Sequence, residues 1–209
     1  MQLIRENVLE NCVDQCTNKQ WLNCATEVLR NNKIHPILFA SALRDALLYG
    51  RGKFRNIIIT GPANCGKTFL LKPLEKIFNC FCNPAKDKYA WVGAEQAEVI
   101  ILQDFRWDRE TIAWKSFLLL LEGENVKLPA PKNHFSQDVI IDTDKPIFAT
   151  SKSPITYTGG NNARDDREDR MMEVRWKNFA FTKEISEEEQ KSIAPCHRCF
   201  SELVLMGDL

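Results

Sequence analysis

Apolar positions along this chain change their spacing twice, and the changes mark three stretches. Over residues 1–50 the repeat is helical. Leu3, Ile4, Val8 and Leu9 form a weakly amphipathic stretch, and Trp21, Leu22, Ala25, Val28 and Leu29 recur at helix spacing. Asn31-Asn32-Lys33 breaks the pattern, and Pro36 suits the first turn of another helix, which buries Ile37, Phe39, Ala40, Leu43, Ala46 and Leu47 and stops at Gly50. From 51 to 182, short strand-like runs alternate with helical ones. Ile57-Ile58-Ile59-Thr60, apolar or β-branched throughout, reads as a buried strand, and Val99-Ile100-Ile101-Leu102 is a continuous apolar run, as in a strand of a parallel sheet covered on both faces.

Between those strands, residues 69–78 predict a helix that Pro73 kinks or shortens. Residues 79–88 read as a loop, and Tyr89-Ala90-Trp91-Val92 as a strand ending at Gly93. Farther on, 111–121 predicts a helix terminated by Gly123, 125–142 an irregular strand pair with a protruding turn, 146–150 a short buried strand and 173–181 a last strand. The charged run 164–170 reads as a solvated face, and the acidic run 184–191 as a surface helix or linker. The expected fold is α/β, a parallel sheet flanked by helices. It comprises a helical segment 1–50, a core 51–182 and a tail 183–209.

Chemistry concentrates where the first strand ends. Residues 61–68 read Gly61-Pro62-Ala63-Asn64-Cys65-Gly66-Lys67-Thr68, and a strand, this loop and a helix in that order are what a phosphate-binding loop requires. Glycines let the backbone turn and approach phosphate oxygens, and amides at the helix start point at the anion. Lys67 reaches the β- and γ-phosphates, and the Thr68 hydroxyl serves Mg²⁺. Glycine loops also make plain strand-to-helix turns, but the placement of Lys-Thr after a buried strand favours nucleotide. Asp104, at the carboxyl end of the 99–102 strand, stands where an acidic residue holds Mg²⁺ or orients the attacking water. A helix cap or surface aspartate is the bland alternative. A polar residue ending the 146–150 strand is placed to contact the γ-phosphate or that water.

Composition narrows the partners. Lys and Arg number 28 and so do Asp and Glu, so DNA contact must come from a local patch or from a ring of subunits that concentrates positive charge. No apolar run approaches membrane-spanning length, and residues 1–30 lack an apolar signal core. The expectation is an intracellular protein without a membrane partner, nuclear in a eukaryotic host. Eight cysteines then default to reduced thiols. Cys12-x-x-x-Cys16 and Cys196-x-x-Cys199 are each weak signals. If the termini meet, these four would make a tetrahedral Zn²⁺ site with His197 as a substitute ligand; buried free thiols are the other reading.

Four stations in order carry a resemblance: 61–68, the 99–105 strand ending in Asp104-Phe105, the 120–132 stretch ending in Pro131-Lys132, and 146–154. Together they resemble the ATPase domain of superfamily 3 helicases, over residues 37–182. The chain is similar to the parvovirus non-structural replication protein and to the Rep proteins of small circular single-stranded DNA viruses. The resemblance implies a P-loop NTPase with an AAA+-like core, ATP and Mg²⁺ as cofactors, and a hexameric homo-oligomeric ring with the active site at the subunit boundary. It implies that Lys67 and Thr68 hold phosphates and Mg²⁺, that Asp104 serves metal and water, and that Arg170 is an arginine finger. Lys132, with His134, would grip single-stranded DNA. Two positions depart from the family's pattern: Gln103 stands where it usually has a first acidic residue, and Lys152 near its usual asparagine. Lys152 would add positive charge beside the γ-phosphate. No His-x-His with a downstream tyrosine occurs, so a nicking nuclease would be a separate partner. Two alternatives remain open at this point: an ATP-binding scaffold or decayed helicase that does not translocate, and a small-molecule kinase.

Overall fold

Successive residues along each buried strand face two different cores. In the computed structural model, which describes residues 1–84, 89–131, 138–158 and 165–207, Ile57 and Ile59, Val99 and Ile101, and Phe148 enter one apolar cluster. Their neighbours Ile58, Ile100, Leu102, Ile147 and Ala149 enter the other. Side chains on a strand alternate between faces, so a run of apolar residues is stable only where both faces are covered.

The sheet has five strands, β1 (Asn56–Thr60), β2 (Cys80–Cys82), β3 (Val99–Leu102), β6 (Ile147–Ser151) and β7 (Trp176–Ala180), ordered β2-β3-β6-β1-β7. Every pairing in it is parallel. Helices flank it, which makes an α/β architecture compatible with a fold of the phosphate-loop type. β4 (Val126–Leu128) and β5 (Val139–Ile141) form a separate antiparallel pair, as the alternating pattern of 125–142 predicted.

On the first face lie α1 (Gln2–Val8), a short 3₁₀ turn (Thr17–Lys19), α2 (Gln20–Asn31) and α3 (Pro36–Tyr49). Pro36 opens α3, and the His35 ring accepts the Ile37 N–H at 3.3 Å. Phe39, Leu43 and Ala46 are buried, but Ile37 is 43% exposed, on the side of the first turn of α3 away from buried Pro36 and Phe39. α8 (His197–Val204) packs Cys199, Phe200, Leu203 and Val204 into the same cluster and touches α1, α2 and α3. The tail thereby closes against the chain's beginning. Pro73 splits the expected helix into α4 (Lys67–Leu71) and α5 (Leu74–Ile77).

One strand expectation fails on this scaffold, and the readings of 164–170, 173–181 and 184–191 are refined. The edge strand is Cys80–Cys82, not 89–92, and residues 89–96 form turns. Trp91 and Ala90 are apolar because they plug the second core: Trp91 stacks on Phe81 with ring centroids 5.6 Å apart and donates its indole N–H to Thr111 O. The charged run, read only as a solvated face, is α7 (Asp166–Glu173). The Asp165 carboxylate caps its start by accepting the Arg167 and Glu168 amides, and Met172 is its buried residue. α7 takes Glu173, so β7 begins at Trp176. Residues 184–191 hold a turn at 187–189 in otherwise irregular chain, without a helix.

α6 (Trp114–Glu122) covers the second face and is fastened to β5 by Arg51. That fully buried guanidinium donates to the carbonyls of Leu120, Glu124, Ile141 and Thr143. Four acceptors satisfy a charge that burial would otherwise make costly. Among the described residues no helix is long and apolar enough to cross a membrane.

Candidate functional site

The carboxyl ends of β1, β6 and β3 lie side by side, since β6 pairs with both of the others. In open parallel sheets ligands bind beyond these ends. Here the three ends deliver the 61–68 loop, Lys152 and Asp104 to one cavity of about 440 Å³. Lys67, Thr68, Asp104 and Lys152, predicted separately from sequence, therefore share one wall. Arg106 completes the lining.

The loop is held in shape from several sides. Gly61 has φ +152°, and a Cβ there would stand 2.4 Å from the Phe181 carbonyl oxygen; Gly66 has φ +87°, and a Cβ there would stand 2.9 Å from Val28 Cγ1. Gly61 is thus required by backbone packed against the loop, and Gly66 chiefly by its left-handed φ, beyond the phosphate approach expected from sequence. The Lys67 ammonium donates to Gly61 O at 2.9 Å and to Pro62 O, and lies 3.4 Å from Cys65 Sγ. Cys65 is buried and donates to Pro62 O, so it belongs to the loop's own scaffold. Thr68 is exposed at the cavity.

Asp104 adopts φ +47°, uncommon for a residue with a side chain. Its amide donates to Thr150 Oγ1 at 2.9 Å, and the Phe105 amide donates to Thr150 O at 2.8 Å. Thr150, the penultimate residue of β6, consequently sets the backbone that presents Asp104. Gln103 points elsewhere: its Nε2 donates to Glu75 Oε1 on α5 at 3.0 Å. Asp104 is the carboxylate among the residues lining the cavity.

A second cavity, about 340 Å³, adjoins the first and shares Asn64, Gly66 and Phe69 with it. Val28 of α2 and Ile185 add apolar walls. Asn32 builds this wall by accepting the Thr182 and Lys183 amides at 2.8 and 2.9 Å, and the Ile185 amide then donates to Asn64 O at 2.9 Å. No motif announces Val28 or Ile185, which reach the loop from distant parts of the chain. The signal for Arg106 was its place two residues beyond Asp104.

Arg170 is exposed on α7 and does not line either cavity. Lys132 and His134 lie outside the described residues.

Away from the sheet ends, Cys12, Cys16, Cys196 and Cys199 come together with their sulfurs all within 4.8 Å of one another. Cys199 Sγ lies 3.5 Å from Cys12 Sγ and 3.6 Å from Cys16 Sγ, and all four are free thiols. Burial pushes the Cys199 and Cys16 thiols up. Burial acts the same way on Cys196, but amides of Cys199 and Val13 and the neighbouring thiols outweigh it and hold that thiol below its ordinary value. His197, expected as a substitute ligand, instead pairs through Nε2 with Glu10 Oε2 at 2.8 Å. It is the first residue of α8, directly after Cys196, and its side chain is partly buried against Glu10.

No family model and no curated protein matches this chain. Among solved structures it is similar to the A form apo structure of the NrS-1 C-terminal region (305–718), at 13% identity and a TM-score of 0.45, over 98% of this chain and 42% of that one. An apo structure of the same region aligns at 12% identity and a TM-score of 0.43, over 98% and 43%. The chain spans less than half the length of these neighbours.

Proposed function

We propose that the chain is an ATP hydrolase of the superfamily 3 helicase kind, a motor on single-stranded DNA in the replication of a viral or virus-derived element. The observation that carries this reading is the single cavity lined by Lys67, Thr68, Asp104, Arg106 and Lys152. Three cationic side chains facing one hydroxyl and one carboxylate suit a triphosphate with Mg²⁺: the cations take phosphate oxygens, while Thr68 and Asp104 are oxygen ligands for the metal. Loop 61–68 is then a phosphate-binding loop. Lys67 exchanges neutral carbonyl partners for charged phosphate oxygens on binding, a stronger class of hydrogen bond. The adjoining cavity, with apolar walls at Val28, Phe69 and Ile185 and charged Glu27 and Lys183 beside them, takes the base.

Chemistry at the γ-phosphate needs a positioned water and charge stabilisation rather than a protein nucleophile. Asp104 orients the water, and Lys152 stabilises charge developing on the transferred group. Arg170, exposed on α7, is available to a neighbouring subunit's nucleotide in a ring. Lys132 and His134 serve DNA in the ring's channel.

A second reading, an ATP-binding scaffold that does not translocate, is favoured by one observation: the Gln103 amide is engaged with Glu75, leaving Asp104 as the lining carboxylate. Steady-state ATP hydrolysis with and without single-stranded DNA, beside a Lys67→Ala control, separates the two. DNA-stimulated turnover that the control loses supports the motor. Tight ATP binding without turnover, indifferent to DNA, supports the scaffold.

A further inference from the structure

The geometry points to a structural zinc site formed by Cys12, Cys16, Cys196 and Cys199, which staples the beginning of the chain to its last helix. Four thiols from opposite ends of the chain, Cys16 and Cys199 being 183 residues apart, are gathered with no sulfur farther than 4.8 Å from any other. A tetrahedron with zinc–sulfur bonds of about 2.3 Å has edges of about 3.8 Å. The separations from Cys199 to Cys12 and Cys16, 3.5 and 3.6 Å, are close to that edge.

Local structure aims the ligands. Cys196 is the residue preceding the first turn of α8 and Cys199 the third residue of that helix, so both sulfurs fall at its start. Cys16 closes a turn through its amide to Val13 O at 2.8 Å, and the Trp21 amide donates to Cys16 Sγ at 3.4 Å. Cys16, Cys196 and Cys199 are at most 2% exposed, which shields the centre from water. Four deprotonated thiolates around Zn²⁺ carry excess negative charge, and the surroundings answer it. Arg198, next to Cys199 on α8, donates to Glu10 O and to Glu202, and Lys19 pairs with Glu202 at 2.7 Å. Such outer partners orient ligands and tune the metal.

On binding, Zn²⁺ displaces the four thiol protons to solvent, with no change of oxidation state. All four positions are filled by sulfur, which leaves none for substrate; the centre is structural. Its effect on the nucleotide region is indirect: α8 packs on α2, and α2 supplies Val28 to the wall beside Gly66. Among the described residues this is the one cluster of such ligands with a metal-holding arrangement.

The test is elemental analysis of the full chain, expressed in zinc-supplemented cells and purified under reducing conditions without chelator. One zinc per chain is expected, with a Cys24→Ser control retaining it and Cys199→Ser losing it. Replacing zinc by Co²⁺ in the unmodified chain reads the ligands directly, whether or not Cys199→Ser folds. The expected spectrum has the intense visible bands of a tetrahedral centre and the near-ultraviolet charge transfer of four thiolates. Removing the metal with a chelator should lower the melting temperature. Iron in place of zinc, substoichiometric metal with no cobalt spectrum, or an intact mass showing disulfides in the cluster would each overturn the proposal.

Discussion

The Asp104 amide donates to the Thr150 hydroxyl at 2.9 Å, so the carboxyl ends of β3 and β6 are joined at the residue that faces the cavity. A left-handed backbone costs a side-chain-bearing residue about 1–2 kcal/mol, and this bond holds Asp104 in it. Thr150→Val keeps the shape and removes the hydroxyl, leaving that amide unpaired at a cost of about 1–3 kcal/mol. ATP turnover should fall by about tenfold or more for that loss of positioning, while ATP affinity, carried by Lys67 and the loop, should change little. Equal losses in both would rule out the positioning role.

Gly61→Ala and Gly66→Ala should differ in cost. The new methyl at Gly61 meets the Phe181 backbone at 2.4 Å, whereas at Gly66 it meets the end of the Val28 side chain at 2.9 Å. Backbone in a strand-end contact cannot step aside, but a valine methyl can. Thermal melts should therefore show the larger drop for Gly61→Ala, with Val28→Ala restoring part of the loss in Gly66→Ala. Additive effects in that second pair would argue against a clash with Val28.

Acid sensitivity should have an identifiable contributor in Glu122. Its hydrogen bond and ion pair with Lys53, assisted by Arg175, hold the carboxyl below its usual 4.5. A carboxylate with a lowered folded-state pKa contributes stability that is complete above its unfolded value and disappears as pH falls through the folded one. Glu122→Gln should accordingly be less stable than the unmodified chain at neutral pH. The gap should narrow as pH drops below 4.5, as read from denaturant midpoints. A gap that stays constant with pH would show that the charge is not the source.

Lys132→Ala should weaken single-stranded DNA binding, with a shallower dependence on salt, while basal ATP hydrolysis remains near the unmodified level. Fluorescence anisotropy with a labelled oligonucleotide measures the first and a coupled assay the second. Loss of both together would move Lys132 out of a DNA-gripping role.

Much of the frame was legible because it depends on neighbours in sequence. Ile57–Ile59 read as a buried strand and Val99–Leu102 as a doubly covered one, and both are so; Pro73 read as a helix break and divides α4 from α5. Where the reading failed, a local pattern had two physical solutions. Tyr89 to Val92 and Cys80 to Cys82 are both short apolar runs beside a sheet. Only the space against Val99–Ile101 decided that the second would pair and that Trp91 would fill a core. The dense charges of 164–170 hid a helix, because α7 buries little and its start depends on a single capping aspartate.

By itself the sequence determined the alternating α/β frame, the 61–68 loop between strand and helix, and an acidic residue at the end of a buried strand. These follow from period, turn residues and composition, which act over a few positions. Tertiary structure alone decided that Lys67, Asp104, Arg106 and Lys152 line one cavity, that Gln103 turns to Glu75, and that Val28 and Ile185 meet beside Gly66. It alone brought Cys16 to Cys199 across 183 residues. Such meetings depend on how strands order in the sheet and on which helices share a core, and those are properties of the packed whole that no local spacing encodes.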